Sequence, residues 1–211
     1  MVKVSPSMLA ADFSNLREEM KSVQTANFLH LDVMDGHFVP NLTIGPCVIA
    51  SIRPHSDLPF DTHLMIDNPL KYIEPFAKAG SDYITVHVEQ PDDIKQCIRL
   101  IKSFGKKAGL ALSPDTPVSA LAPYLDEISM ITVMSVYPGF GGQKFIESSY
   151  EKIKEISNMI QDKNILLSVD GGVDYENVRK LEKAGVTMVV AGSTVFGDEN
   201  REEAIRILRG E

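Results

Sequence analysis

The stretch Phe28-Leu29-His30-Leu31-Asp32-Val33-Met34 reads as one strand with chemistry on a single side. It is short and mostly apolar, and His30, Asp32 and Met34 recur at every second position. In extended backbone that spacing points all three the same way, while Leu29, Leu31 and Val33 point the other way. One face of the strand is thus apolar, and the other carries three functional groups.

Similar runs recur outward from this one: Val2 to Val4, Phe60 to Met65, Tyr83 to Val88, Ala108 to Leu112, Met130 to Met134, Ile165 to Val169 and Val186 to Ala191. With Phe28 to Val33 they make eight candidate strands. Between them lie stretches of helical spacing, such as Ile94, Ile98 and Ile101, or Ile153, Ile156 and Ile160, with Lys and Glu on the opposite face. Asp12 or Ser14 before Leu16, and Pro69 and Pro117, mark helix starts, and Gly80, Gly105 and Gly185 mark helix ends. Strands alternating with helices imply right-handed crossovers and a parallel sheet. Eight such units in this length predict an α/β fold, a small (β/α)8 TIM barrel forming one domain over residues 1–211. An open, doubly wound sheet is the alternative, because periodicity does not show whether the sheet closes.

Composition narrows the function. The chain has 211 residues, 44% hydrophobic and 24% charged, which fits a globular protein rather than a disordered or fibrous one. Its net charge of −8 lacks the basic face needed to neutralise phosphates of a nucleic acid, so a small-molecule partner is expected. No apolar stretch approaches the ~20 residues that span a bilayer, and Met1 to Pro6 does not read as a leader. A soluble cytoplasmic protein without nucleic-acid or membrane partners is the expectation. Two cysteines without a CxxC spacing, Cys47 and Cys97, leave any metal to His and carboxylates.

Polar groups at the C-terminal ends of barrel strands are the catalytic candidates. The run at 60–65 repeats the spacing of the first with Asp61, His63 and Met65, and the seventh ends in Ser168-Val169-Asp170. A lone His or Asp in such a place is usually a hydrogen-bonded structural group. Four together, His30, Asp32, His63 and Asp170, form a mixed nitrogen and oxygen set suited to one divalent ion such as Zn, Fe, Mn or Co. Unpaired charge inside these runs would cost several kcal/mol, and a bound cation explains its presence. Met34, Met65 and Met134 occupy inward positions, by default as core and otherwise as a polarizable floor under the metal. His87 and Glu89, at the end of the fourth strand, read as support for the site or as substrate contacts. His55 reads as a surface loop residue, and Asp35, Asp126 and Asp174 as turn or cap residues.

Glycine turns follow the last three strands: Pro138-Gly139-Phe140-Gly141-Gly142-Gln143, Asp170-Gly171-Gly172-Val173 and Ala191-Gly192-Ser193-Thr194. One such turn is weak evidence. Three on the same barrel edge, each before a helix, predict a phosphate site built from backbone N–H groups.

The segments Ser5-Pro6-Ser7-Met8-Leu9-Ala10-Ala11-Asp12, His30-Leu31-Asp32-Val33-Met34-Asp35-Gly36-His37-Phe38-Val39-Pro40-Asn41, Asp61-Thr62-His63-Leu64-Met65, Pro138-Gly139-Phe140-Gly141-Gly142-Gln143 and Val169-Asp170-Gly171-Gly172 closely resemble the ribulose-phosphate 3-epimerase family. The match runs nearly end to end and in the same order. The resemblance implies a barrel of the ribulose-phosphate-binding type that interconverts D-ribulose 5-phosphate and D-xylulose 5-phosphate in the pentose phosphate pathway, using one divalent metal. It places the metal ligands at His30, Asp32, His63 and Asp170, with Asp32 and Asp170 also the acid/base pair. It places substrate contacts at Ser7, His63 and Asp170, and phosphate contacts at Gly139, Phe140, Gly141, Gly142, Gly171, Gly172, Gly192 and Ser193. An assembly of identical chains is also implied. Ser113 and Tyr137 depart from the family's usual residues and leave the fine substrate preference open.

Inverting C3 of a 2-ketose takes a proton from one face and returns one to the other. Asp32 and Asp170, on different strands, are expected to act as opposed acid and base across a metal-stabilised cis-enediolate. The loop 36–41 and the loop around Phe140 are candidate covers for the pocket. Three rival readings remain at this point: a D-allulose-6-phosphate 3-epimerase, a catalytically silent phosphate-binding barrel, and a metal-dependent hydrolase, whose usual cluster of several His is not supplied by a chain with five in total.

Overall fold

The computed structural model describes residues 1–211. All eight expected runs are strands: β1 (Lys3–Pro6), β2 (Leu29–Met34), β3 (Phe60–Met65), β4 (Tyr83–His87), β5 (Lys107–Leu112), β6 (Met130–Met134), β7 (Leu166–Asp170) and β8 (Met188–Ala191). They pair in parallel as one eight-stranded sheet in the order β1-β8-β7-β6-β5-β4-β3-β2. The barrel closes where β1 meets β2, and that seam is the weakest join. Lys3 and Ser7 donate their N–H groups to Thr187 and Ala191 on the β8 side, so the even residues of β1 turn toward β2. There Val4 O accepts from Asn27 N and Phe28 N, and Val4 N donates to Asn27 Oδ1. The next even position is Pro6, which has no N–H to give. Past it, one isolated parallel bridge, Ser7 to His30, finishes the closure.

Eight helices surround the strands: α1 (Leu16–Lys21), α2 (Pro46–Ile52), α3 (Ile73–Ala79), α4 (Ile94–Ser103), α5 (Ser149–Met159), α6 (Val178–Lys183), α7 (Ser193–Phe196) and α8 (Arg201–Arg209). α4 shows how sequence sets one of them. Asp93 caps it by accepting from Gln96 N, and Ile94, Cys97, Ile98 and Ile101 bury one stripe against the sheet. Between β5 and β6 the connection is a 3-10 segment, Val118–Tyr124, instead of an α-helix, because Pro123 inside it lacks the donor that α-helical pairing needs. Pro69 likewise opens a 3-10 turn, Pro69–Lys71, ahead of α3. No helix is long and apolar enough to cross a membrane.

The alternation read from the sequence is realised in the burial. Leu29, Leu31 and Val33 join a core of 50 buried residues between sheet and helices. His30, Asp32 and Met34 point inside the barrel with Asp61, His63 and Met65 from the adjacent strand, to which β2 is registered Asp32 to His63. Phe28, Met130 and Met188, with Tyr83 and Leu166 against them, form a separate apolar cluster at the N-terminal end of the strands. It closes the end of the barrel opposite the site.

Gly109 has a defined part in this interior. It pairs with Thr85 on β4, and a Cβ there would lie 2.2 Å from Thr85 Oγ1. Gly109→Ala is expected to lower stability in urea unfolding by about 1–3 kcal/mol, the usual cost of overpacking. Adding Thr85→Ala should return part of that loss, and an unchanged midpoint in Gly109→Ala would contradict the packing described here.

Candidate metal centre and its cavity

Four side chains from three strands converge at the C-terminal end of the barrel. His30 and Asp32 come from β2, His63 from β3 and Asp170 from the end of β7, and one ligand atom from each lies within 4.8 Å of all the others. β2 and β7 are three strands apart around the closed ring, so the two carboxylates approach from well-separated directions. His30 Nε2 is 3.3 Å from Asp32 Oδ1 and 3.5 Å from Asp170 Oδ2, and His63 Nδ1 is 3.4 Å from Asp170 Oδ2 and 3.8 Å from Asp32 Oδ1.

The donor set tests well against a divalent ion. Both imidazoles are fully buried, yet His30 Nε2 and His63 Nδ1 have no hydrogen-bond partner of adequate geometry. Those are the two nitrogens aimed at the carboxylates. Buried polar atoms are nearly always satisfied, and a cation at the centre of the four would satisfy both nitrogens while offsetting two carboxylates held close together. The electrostatics agree. Burial opposes a charged His30, but the nearby carboxylates of Asp32, Asp61 and Asp170 raise its pKa well above the usual value. Burial likewise opposes an ionised Asp170, and the imidazoles of His30 and His63 beside it outweigh that and lower its pKa. The pocket stabilises positive charge at its centre.

Each imidazole is oriented from behind. Asp61, buried on β3, pairs with His30 Nδ1 at 2.7 Å, which leaves Nε2 to face the centre. His63 Nε2 lies 2.9 Å from His87 Nε2, and His87 Nδ1 is 3.0 Å from Glu89 Oε2. Burial is the largest influence on His87 and brings its pKa down to about 4. Burial pushes Glu89 the other way, but hydrogen bonds from His87, Thr116 and Ser113 bring it to about 2. His87 and Glu89 therefore support the site from behind and do not reach the cavity. Sequence spacing gives Asp61 no role of its own, although its position two residues before His63 carries the signal.

Above the four lies a cavity of about 340 Å³, a size suited to a small ligand. Asp32, Asp170, Met34, Met65 and Met134 line it, whereas His30 and His63 stay beneath. The three glycine turns meet on the same wall, contributing Gly139 to Gly142, Gly171 with Gly172, and Gly192 with Ser193. At Gly172, where φ is +62°, a Cβ would sit 2.5 Å from Phe145 N, so only glycine lets the two turns approach this closely. Ser7 also lines the cavity, but its hydroxyl donates to Asp32 Oδ2 at 2.6 Å. That bond turns Asp32 Oδ1 toward the histidines.

The two expected covering loops are tied together. Asn41 Nδ2 donates to Gly139 O, and Gln143 Nε2 braces its own turn through Tyr137 O and Phe140 O. Asp35 anchors the first loop by accepting from His37 N, Phe38 N and Asp67 N. Asp174 caps as expected, accepting from Glu176 N and Asn177 N, and His55 lies on the surface beside Arg17. Asp126 lies in the turn that follows Val118–Tyr124, as expected, and also pairs with Lys163 at the surface. Of the two departures noted in the sequence, Ser113 contributes backbone to Glu89 and Tyr137 bonds Asp115 at the rim.

Fold and site together define a TIM-barrel protein with a His/Asp cluster that could hold a metal ion, beneath a pocket lined by glycine turns. Solved barrels share the architecture: KGPDC from Streptococcus mutans (TM-score 0.75, 16% identity, covering 99% of this chain and 96% of that one) and the tryptophan synthase α-subunit of Pyrococcus furiosus (TM-score 0.72, 17% identity, all of both chains). The family is set by sequence. A model of the Ribulose-phosphate 3 epimerase family matches residues 3–196. The ribulose-phosphate 3-epimerase of Bacillus subtilis is 48% identical, covering 100% of this chain and 99% of that protein. The chloroplastic ribulose-5-phosphate-3-epimerase of Arabidopsis thaliana is 47% identical over 96% of this chain and 74% of that protein. The chain belongs to the ribulose-phosphate 3-epimerase family.

Zinc added to metal-free protein at about 100 times its Kd should raise stability by about 2.7 kcal/mol, read as a higher Tm that a chelator reverses. Asp61→Asn, which weakens the acceptor behind His30, should loosen zinc by roughly 10–100-fold. Calorimetric titration of both proteins gives the comparison, and equal affinities would remove Asp61 from the site's support.

Proposed function

We propose that this protein interconverts D-ribulose 5-phosphate and D-xylulose 5-phosphate by moving the C3 proton between opposite faces of the sugar. One observation carries the reading: two carboxylates from well-separated strands, Asp32 and Asp170, line one cavity together with three glycine turns. A binding module has no use for two such carboxylates. Epimerisation needs both, one to accept the proton and one to return it.

The turns Gly139 to Gly142, Gly171 with Gly172, and Gly192 with Ser193 would hold the phosphate. Ser193 and Thr194 begin α7, where the first N–H groups have no acceptor within the helix. Anchoring the phosphate there sets the reach of the sugar, so that C3 lies over the carboxylates. Met34, Met65 and Met134 give the floor an apolar, adaptable surface that keeps water from the flat enediolate.

The two carboxylates differ in setting. Asp32 receives the Ser7 hydroxyl on Oδ2, and its other oxygen faces the histidines. Asp170 is fixed through its main chain, where its carbonyl accepts from Ser135 N and Ser135 Oγ. Each gains a proton in one direction of the reaction and gives one in the other, and the pair shares its protons as a coupled unit. A carboxylate with an ordinary pKa near 4 is a weak base for a C–H bond. A divalent ion held by His30, Asp32, His63 and Asp170, whether zinc, iron, manganese or cobalt, would supply the positive charge that offsets the charge building on the sugar oxygens.

Ribulose 5-phosphate incubated in D₂O with metal-loaded protein should give xylulose 5-phosphate carrying deuterium at C3 by NMR. Asp32→Asn and Asp170→Asn should each lower turnover by about 10²–10⁴-fold, with metal content measured alongside because both residues also face the ion. Turnover of D-allulose 6-phosphate in place of the pentulose would move the substrate assignment and keep the chemistry; silence on both sugars would leave a phosphate-binding barrel. Ser193→Asp places a negative charge at the phosphate wall and should raise KM roughly tenfold or more, with a much smaller change in kcat. A fall in kcat alone would count against a phosphate at that turn.

A further inference from the structure

We infer that Glu89, acting through His87, sets the proton on His63 so that His63 Nδ1 meets the cation position as a lone pair. This rests on the metal centre proposed above and concerns two residues outside the four-ligand set. His63 can offer Nδ1 only if its proton sits on Nε2, and a buried N–H needs an acceptor. His87 Nε2, 2.9 Å away, is that acceptor. An imidazole that accepts at Nε2 carries its proton on Nδ1, which here points at Glu89 Oε2 at 3.0 Å.

The carboxylate decides the direction of the chain. If the protons ran the other way, His87 Nδ1 would present a lone pair to a carboxylate that can only accept, and His63 would aim an N–H at the centre of the four-residue cluster. Glu89 is held in this orientation from outside. Its Oε1 accepts from Ser113 N at 2.7 Å and from Thr116 Oγ1, while Lys152 Nζ on α5 binds the carbonyls of Ser113, Pro114 and Thr116 at 2.9, 2.5 and 2.8 Å. Phe38 from the loop 36–41 lies with its ring centroid 4.8 Å from that of His87 and screens it from water. His30 reaches its carboxylate directly, at Asp61, and His63 reaches one through a second imidazole. Glu89 and His87 are positioning residues: neither lines the cavity.

The test uses whole protein labelled with ¹⁵N at histidine and loaded with zinc. Multiple-bond ¹H–¹⁵N spectra should show His63 bound through Nδ1 with its proton on Nε2, and His87 neutral with its proton on Nδ1. A His87 proton on Nε2, or on both nitrogens, overturns the inference without any variant. Glu89→Gln is nearly isosteric but can donate to His87 Nδ1 and so reverse the chain. Metal-free Glu89→Gln should shift His63 toward the Nδ1–H form, and its zinc affinity should fall by about 10–100-fold with an unchanged far-ultraviolet circular dichroism spectrum. Lys152→Met keeps the carboxylate and loosens its mounting, so it should retain the proton order of wild type with a smaller loss of affinity. Wild-type protein that takes up no zinc overturns the metal centre and this inference with it. Zinc bound equally well by wild type and Glu89→Gln overturns the inference alone.

Discussion

A strand in a closed parallel barrel is buried on both faces, and the rest of this molecule depends on how that constraint is met. The outward positions of β2 and β3 are aliphatic or aromatic apart from Thr62, and most join the shell of 50 buried residues under the helices. That shell supplies the apolar burial, at about 25 cal/mol for each Å² removed from water, that lets the inward positions hold groups costly to bury. At the N-terminal end the inward positions are plugged by Phe28, Met130 and Met188. At the C-terminal end they hold imidazoles and carboxylates, where the loops can reach them.

Such groups are tolerable because each has a counterpart. Asp61 stands behind His30, Glu89 stands behind His63 by way of His87, and Ser7 holds one oxygen of Asp32. His30 Nε2 and His63 Nδ1 have no hydrogen-bond partner, and one ligand atom from each of His30, Asp32, His63 and Asp170 lies within 4.8 Å of the others. A site assembled this way has its imidazoles and one carboxylate oriented by hydrogen bonds from behind, which suits proton transfer at a fixed carbon. The loops 36–41 and 138–143 follow the same logic on a looser scale: they are held to one another by Asn41, and the first is anchored by Asp35.

Much of this was legible in the residues. Period two in β2, β3 and β7 placed His30, Asp32, His63 and Asp170 on the barrel interior, and the glycine turns after β6, β7 and β8 placed part of the cavity lining. The less legible parts came from contacts between distant segments. That the seam falls between β1 and β2 depends on which way Pro6 faces in the barrel, and the 3-10 connection before β6 depends on Pro123 within a stretch of otherwise helical composition. His87 and Glu89 read either as support for the site or as contacts to substrate, and their placement behind His63 decides for support.

The sequence by itself determined the alternation of strand and helix, the inward faces and the residue types available for a cation and a phosphate, because those follow from spacing along one strand or one turn. Tertiary structure decided which strands meet and which atoms of each side chain face the centre. Those depend on register across the sheet and on hydrogen bonds between residues 23 to 31 positions apart, such as Val4 with Asn27, Ser7 with Asp32 and His30 with Asp61. Local periodicity carries no information about partners at that distance, and the choice of Nδ1 or Nε2 on each histidine is made by what lies behind the ring.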